Sequence, residues 1–288
     1  MALSIQSNMA SKSIQNQLGR TNNHLSVALE RLGSGLRINS AKDDAAGLQI
    51  ANRLNAQVRG QDAAIYNANN AMSMLQTAEG AFEEMTNIAY RMKELATQAA
   101  NGTNNSSEYT AMNSEFTALR DEMTNIISNT SYGSGTKLLD GTDGKLNASV
   151  DFQIGSSAAE VLSVDISTEL GDLDTAMTAT EFAAGFDSGV PATDQADAKT
   201  VMGQVDSVIN AIGAARASLG ASMNRLDHTI NNVTNMKENT EAAAGQLMDA
   251  DFARETSNMT KQQLLMNSGI SVLSASNSTT QMIGSLLR

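Results

Sequence analysis

The stretch that decides the fold runs from Leu29 to Leu54, LERLGSGLRINSAKDDAAGLQIANRL. Leu29, Leu32 and Leu36 share one helical stripe. The chain then passes through Gly33-Ser34-Gly35, where two glycines weaken a helix. A restart is expected at Ser40-Ala41-Lys42-Asp43, which has the S-x-x-D pattern of a capping box, with Ser40 accepting from the Asp43 amide. Asp43 and Asp44 also stand where a helix macrodipole favours negative charge. One long helix therefore ends, a short spoke follows, and a second long helix begins.

Outward from this block the helical rhythm continues in both directions. Residues 2–36 read as helix, with Leu18, Leu25 and Leu32 seven apart and Leu29 and Leu36 at the alternate spacing. Such heptads keep an apolar seam turned toward a partner helix. Beyond residue 43 a seam is expected through Ala51, Leu54, Val58, Ile65, Ala68, Met72, Leu75 and Phe82, with Gln61 and Glu79 as polar interruptions. It then shifts to Met85, Ile88, Met92 and Leu95, a phase change of the stammer kind. At 1.5 Å per residue the helix to about residue 100 would be a rod roughly 85 Å long.

Asn101 to Ser107 is a turn, and a return helix carries Tyr109, Met112, Phe116, Leu119, Met123 and Ile126. Asn129–Thr136 reads as a Gly/Ser loop. Period two then marks strands at Leu146–Ile154 and Leu162–Ile166, with Gly155-Ser156-Ser157 as the hairpin turn. The acidic residues 167–197 show no clear period. Helical spacing resumes from Val205 to Val233, and a boundary falls near Asp249-Ala250-Asp251. Phe252, Met259, Met266, Leu273 and Leu287 then share a seven-residue register, Thr280 being its polar member.

The expected fold class is mainly α: long antiparallel helical rods or coiled coil formed by the two halves, with a small β-hairpin region in the middle, near 145–167. Two domains are expected, an inner terminal one from 1–42 plus 252–288 and a rod from 43–251. Composition agrees. The 288 residues include four Tyr, six Phe and no Trp, so cores must be thin and lined by aliphatic residues and Met. A single Pro leaves long helices uninterrupted. The terminal helices could bury only one thin stripe against each other, and such segments order when a partner arrives.

Several function classes are disfavoured. There is no Cys and so no thiolate chemistry. Residues 136–196 hold eleven acids against two lysines, a poor surface for nucleic acid. No stretch is apolar enough for membrane insertion, and residues 1–20 lack the apolar core of a signal peptide. His24 and His228 lie on separate polar faces, so no metal site is expected. The sixteen Met fit seam packing. No hydrolase, phosphate-loop or zinc-protease motif occurs, so neither an enzyme nor a cofactor is expected.

The Leu29–Leu54 block resembles the N-terminal signature of the bacterial flagellins. The segment DADFARETSNMTKQQLLMNSGISVLSASNSTTQMIGSLLR, ending in Leu-Leu-Arg, is similar to their C-terminal signature, and LGASMNRLDHTINNVTNM to their inner C-terminal helix. The resemblance implies a subunit that polymerises into the extracellular flagellar filament, a propeller for motility, exported by the flagellar type III route. Its polymerisation seam would be Leu18, Leu25, Leu29, Leu32, Leu36, Phe252, Met259, Met266, Leu273 and Leu287. It further implies hook-associated and cap proteins as partners and an export chaperone at the C-terminal helix. Within RMKELATQAANGT and the return helix, Arg91, Leu95 and Glu115 match contacts to the vertebrate Toll-like innate immune receptor for flagellin. With so few residues between the hairpin and the returning helix, the chain resembles a short form lacking most of the outer variable domains. The alternative is a hook–filament junction protein or another secreted coiled-coil adaptor with similar ends.

Overall fold

The protein, described here as a computed structural model, is defined at residues 8–141, 143–186 and 189–286. Its helices are α1 Met9–Ser34, α2 Ala45–Ala99, α3 Ser106–Asn129, α4 Ser167–Thr178, α5 Thr180–Ala184, α6 Pro191–Met248 and α7 Phe252–Leu286. Four short strands lie between α3 and α4: β1 Ser131–Tyr132, β2 Thr136–Lys137, β3 Val150–Gln153 and β4 Val161–Val164. The chain forms two compact units, Met1–Val58 with Glu238–Arg288 and Arg59–Lys237.

In the first unit α1 and α7 run antiparallel. Ser11 Oγ lies 3.1 Å from Asn277 Oδ1 near one end, and Arg31 lies 3.4 Å from Glu255 near the other. Asn8 caps α1 by accepting from the Ser11 amide at 3.0 Å. Gly35 ends it in a left-handed conformation, φ 73°, as a glycine at this position commonly does. The restart differs in detail from the capping-box expectation. Ser40 donates through its amide and hydroxyl to Asp43 Oδ2, at 3.0 and 2.9 Å, closing a turn. Asp44 is the residue that caps α2, accepting from the Gly47 amide at 2.9 Å. Between two adjacent acids, the one that reached back took the turn and the next took the helix. The buried apolar residues of this unit, among those described, are Ala28, Ile38, Ala51 and Ala244. Three of the four are alanines, so the unit has almost no core.

The second unit has the core. Its α2 face is Gln61, Ala64, Ala68, Ala71, Leu75, Ala78, Phe82, Met85, Ala89, Met92, Ala96 and Ala99, all buried. These alternate three and four apart without a break, so one heptad register runs through and the expected stammer is absent. Ala78 and Ala89 hold seam positions that the larger Glu79 and Ile88 beside them mask in the sequence. The α6 face answers with Ala198, Val201, Val205, Val208, Ile212, Ala215, Leu219, Leu226 and Val233. Three ion pairs fix the antiparallel register: Asp62–Lys237 at 2.7 Å, Glu79–Arg216 at 2.8 Å and Lys93–Asp206 at 2.5 Å. Glu79 is thus a surface-side ion-pair partner beside the seam, where sequence had placed it as an interruption.

Helix α3 starts with a reciprocal capping box between Asn105 and Glu108 and buries Tyr109, Phe116 and Met123. The β3–β4 hairpin is antiparallel, with Val150 opposite Val164 and Gln153 opposite Val161. Where a Gly/Ser loop is expected the chain forms the smaller β1–β2 hairpin, which runs on to Lys137 and is turned by Gly133 and Gly135 at positive φ. Residues 167–184 fold as α4 and α5, and the end of this segment packs on α3, where Phe116 meets Phe182 and Phe186 edge-on at 5.7 and 5.4 Å. Gly185, at φ 76°, packs so close to Asn113 that only glycine fits, and Asn113 Oδ1 accepts from the Phe186 amide at 3.0 Å. Helix α6 begins at Pro191, a residue pre-set for a first helical position and fourteen residues before the spacing had suggested.

Candidate functional site

The expected terminal seam lies in the first unit. Leu18, Leu25, Leu32 and Leu36 are half-buried, as are Met259, Met266 and Leu273 on α7. Leu29 is 52% exposed and Phe252 is 69% exposed. Leu287 lies outside the described residues. Where α1 and α7 approach, Leu18 seats over Gly269, so that a Cβ there would come 2.7 Å from Leu18 Cδ2. Ile14, Leu18, Thr21, Leu265 and Val272 line the cleft of about 230 Å³ beside that contact.

Helix α7 is apolar on more than one side. Besides Phe252, it exposes Leu264, Leu265, Ile270, Val272 and Met282. A soluble surface helix shows one apolar stripe, whereas a helix apolar all round is one that becomes surrounded. All five lie off the seven-residue register expected from the sequence, and two of them, Leu265 and Val272, border the cleft against α1.

The spoke is held mainly by main-chain atoms. The Arg37 amide donates to the Met248 carbonyl at 2.6 Å and the Ala250 amide to the Gly35 carbonyl at 2.9 Å. Leu36 and Asp249 form the bridge between them. The Arg37 guanidinium adds a bond to the Leu247 carbonyl at 2.7 Å. Asp251 then caps α7, accepting from the Ala253 and Arg254 amides at 2.9 and 3.2 Å. The Ser40 hydroxyl and amide hold the Asp43 carboxyl below its ordinary pKa.

Of the other singled-out trio, the second unit brings two together at the surface. Arg91 donates to Glu94 at 2.9 Å and reaches Glu115 on α3 at 2.8 Å. Hydrogen bonds to Glu94 and then Glu115 raise the Arg91 pKa further. Leu95 lies beneath them, 2% exposed, in the core. Among the described residues no cluster of His, Asp and Glu could hold a metal ion, and no helix is long and apolar enough to cross a membrane.

Residues 5–143 match the model of the bacterial flagellin N-terminal helical region, and residues 202–287 that of the C-terminal helical region. A flagellin of Halalkalibacterium halodurans is 35% identical, over 99% of this chain and 99% of its own length. Flagellin A of Vibrio anguillarum is 34% identical over 95% of this chain and 96% of its own. In fold, the chain is similar to a solved flagellar hook-associated protein from Vibrio parahaemolyticus, with a TM-score of 0.57 at 17% identity, covering 72% of this chain and 100% of that one.

Proposed function

Because the chain belongs to the bacterial flagellins, the subunits of the flagellar filament, we propose that its α1–α7 pair is the seam through which copies polymerise. The observation that carries this reading is the mismatch between the two faces of that pair. Inward, its unit buries only Ala28, Ile38, Ala51 and Ala244 as apolar core among the described residues; outward, α7 displays Phe252, Leu264 and Ile270. Burial of apolar area contributes about 25 cal/mol per Å², so most of the available stabilisation is realised only when neighbouring copies cover α7. Repeated heterologous contacts of this kind do not close and give an open helical filament. The inner domain would comprise 1–42 with 252–288, and the rod 43–251, with the terminal pair ordering fully on assembly.

The product is an extracellular flagellar filament. Before assembly, an export chaperone covers the exposed side of α7, and hook-associated and cap proteins engage the same seam at the filament ends. Arg91 and Glu115, cross-linked between α2 and α3, form the surface read by the innate immune receptor for flagellin. Leu95 contributes by fixing the α2 backbone beneath them. The likeness to a hook-associated protein concerns fold alone, so the junction-protein reading has no observation of its own.

Light scattering and negative-stain microscopy of seeded protein test the seam. Filaments are expected from the full chain and none from a chain lacking 252–288. Filaments from the truncated chain, or a full chain that only caps seeds, would overturn the assignment.

A further inference from the structure

The turn between α2 and α3 holds the one Asn-Gly step in the sequence, Asn101-Gly102. Both residues and the following Thr103 are exposed. An asparagine closes onto the next amide when that amide is free, is unshielded by a side chain, and has the carboxamide turned toward it. Gly102 has no Cβ to shield its nitrogen. Its amide has no hydrogen-bond partner among the described residues. The amides that follow three other asparagines at turns or helix ends are occupied. After Asn39, the Ser40 amide donates to Asp43 Oδ2 at 3.0 Å, and after Asn104 the Asn105 amide donates to Glu108 Oε2 at 2.8 Å. After Asn129, the Thr130 amide donates to the Ile126 carbonyl at 3.0 Å.

Thr103 meets the remaining condition. Its amide donates to Asn101 Oδ1 at 3.4 Å, which draws the carboxamide forward over the Gly102 peptide. The same N–H stands where negative charge develops on Oδ1 as the carboxamide carbon is attacked, the placement of an oxyanion donor. The main chain at the step is also held. The Asn101 amide donates to the Gln98 carbonyl at 3.2 Å. The Asn101 carbonyl accepts from the Asn104 amide and from the hydroxyl of the buried Tyr109, both at 3.4 Å. Reacting groups held together in this way lose little further freedom on ring closure.

We propose that Asn101 is a site of spontaneous covalent modification, deamidation through a cyclic imide. The Gly102 nitrogen bonds to Asn101 Cγ and gives up its proton; the Cγ–Nδ2 bond breaks, and ammonia leaves with that proton. Water then opens the ring. Addition at Cγ gives aspartate, whereas addition at the main-chain carbonyl carbon gives isoaspartate, with the chain routed through the side chain and one methylene longer. Isoaspartate converts the carbonyl bound by Tyr109 and Asn104 into a free carboxylate on a lengthened turn. The start of α3 is loosened and one negative charge is added. The reaction needs only water and does not depend on assembly.

The test incubates the full chain in mildly alkaline buffer, folded and in urea, and follows the tryptic peptide 94–120 by mass spectrometry, with isoaspartate scored by enzymatic carboxyl methylation. In the folded chain Asn101 is expected to convert within about tenfold of its rate in urea, while Asn39 and Asn129 convert only in urea. Gly102→Ala is expected to slow conversion about tenfold, the effect of about 1.4 kcal/mol added to the barrier. That variant keeps the fold, because Gly102 is not at positive φ and a Cβ there would meet only the end of the Gln195 side chain, at 3.1 Å. Conversion more than about tenfold slower in the folded chain than in urea would overturn the proposal, as would a Gly102→Ala rate equal to wild type.

Discussion

Replacing Phe116 by Ala tests whether the acidic residues after the hairpin are an integral part of the second unit. Phe116 is fully buried and meets Phe182 and Phe186 edge-on, at 5.7 and 5.4 Å. Truncating a buried Phe costs about 3–5 kcal/mol. Each edge-on ring pair contributes about 0.5–1.5 kcal/mol beyond area burial, which places the expected loss at the upper end, about 4–5 kcal/mol. For a unit the size of Arg59–Lys237, about 2–4 °C is lost per kcal/mol, so its melting transition should fall by about 10–15 °C. Calorimetry on the unassembled chain reads this directly. Limited proteolysis should show faster cutting between Thr178 and Pro191, because Phe182 and Phe186 lose their shared partner. A fall smaller than about 3 °C, with unchanged cutting, would refute the packing of Phe182 and Phe186 on α3.

Three further outcomes are expected. Leu32→Asp places a charge on the half-buried α1 seam and should abolish seeded growth while the melting transition of the second unit stays unchanged; normal filaments would count against the seam. Arg91→Glu breaks two exposed ion pairs, so melting should hold while receptor-dependent signalling in reporter cells falls, and unaltered signalling would remove Arg91 from the recognised surface. The depressed Asp43 pKa means that its contribution to the spoke is present above the ordinary carboxylate range and lost as pH falls through the lowered value. The protection of the Ser40 amide against hydrogen exchange, relative to the intrinsic rate at each pH, should therefore fall on acidification in the wild type and be low at every pH in Asp43→Ala.

Where apolar side chains were large and regularly spaced, the fold could be read directly. Tyr109, Phe116 and Met123 gave α3, and Leu162 and Val164 gave β4. Alanine was the weak point: Ala64, Ala71 and Ala78 form one side of the α2 seam, but as small residues they carry little pattern weight beside Ile65 and Met72. Short-range chemistry could be read to within a residue or two. The Ser40–Asp43 pattern announced a capped helix start, but that Asp43 closes a turn while Asp44 caps α2 depends on backbone geometry that the letters do not encode. Residues 167–186 were opaque because Phe182 and Phe186 pack against a helix more than fifty residues earlier, a contact with no local period.

The clasp between Gly35–Arg37 and Met248–Ala250 depends on amide and carbonyl groups at its centre, so, Gly35 with its left-handed backbone apart, side chains there can vary with little loss. Its consequence is mechanical. A tensile load entering through either α1 or α7 reaches two covalent strands pinned side by side, and each then carries part of the force. The subunit behaves at that point like a two-ply cord, in which neither ply can be drawn out without first shearing the other.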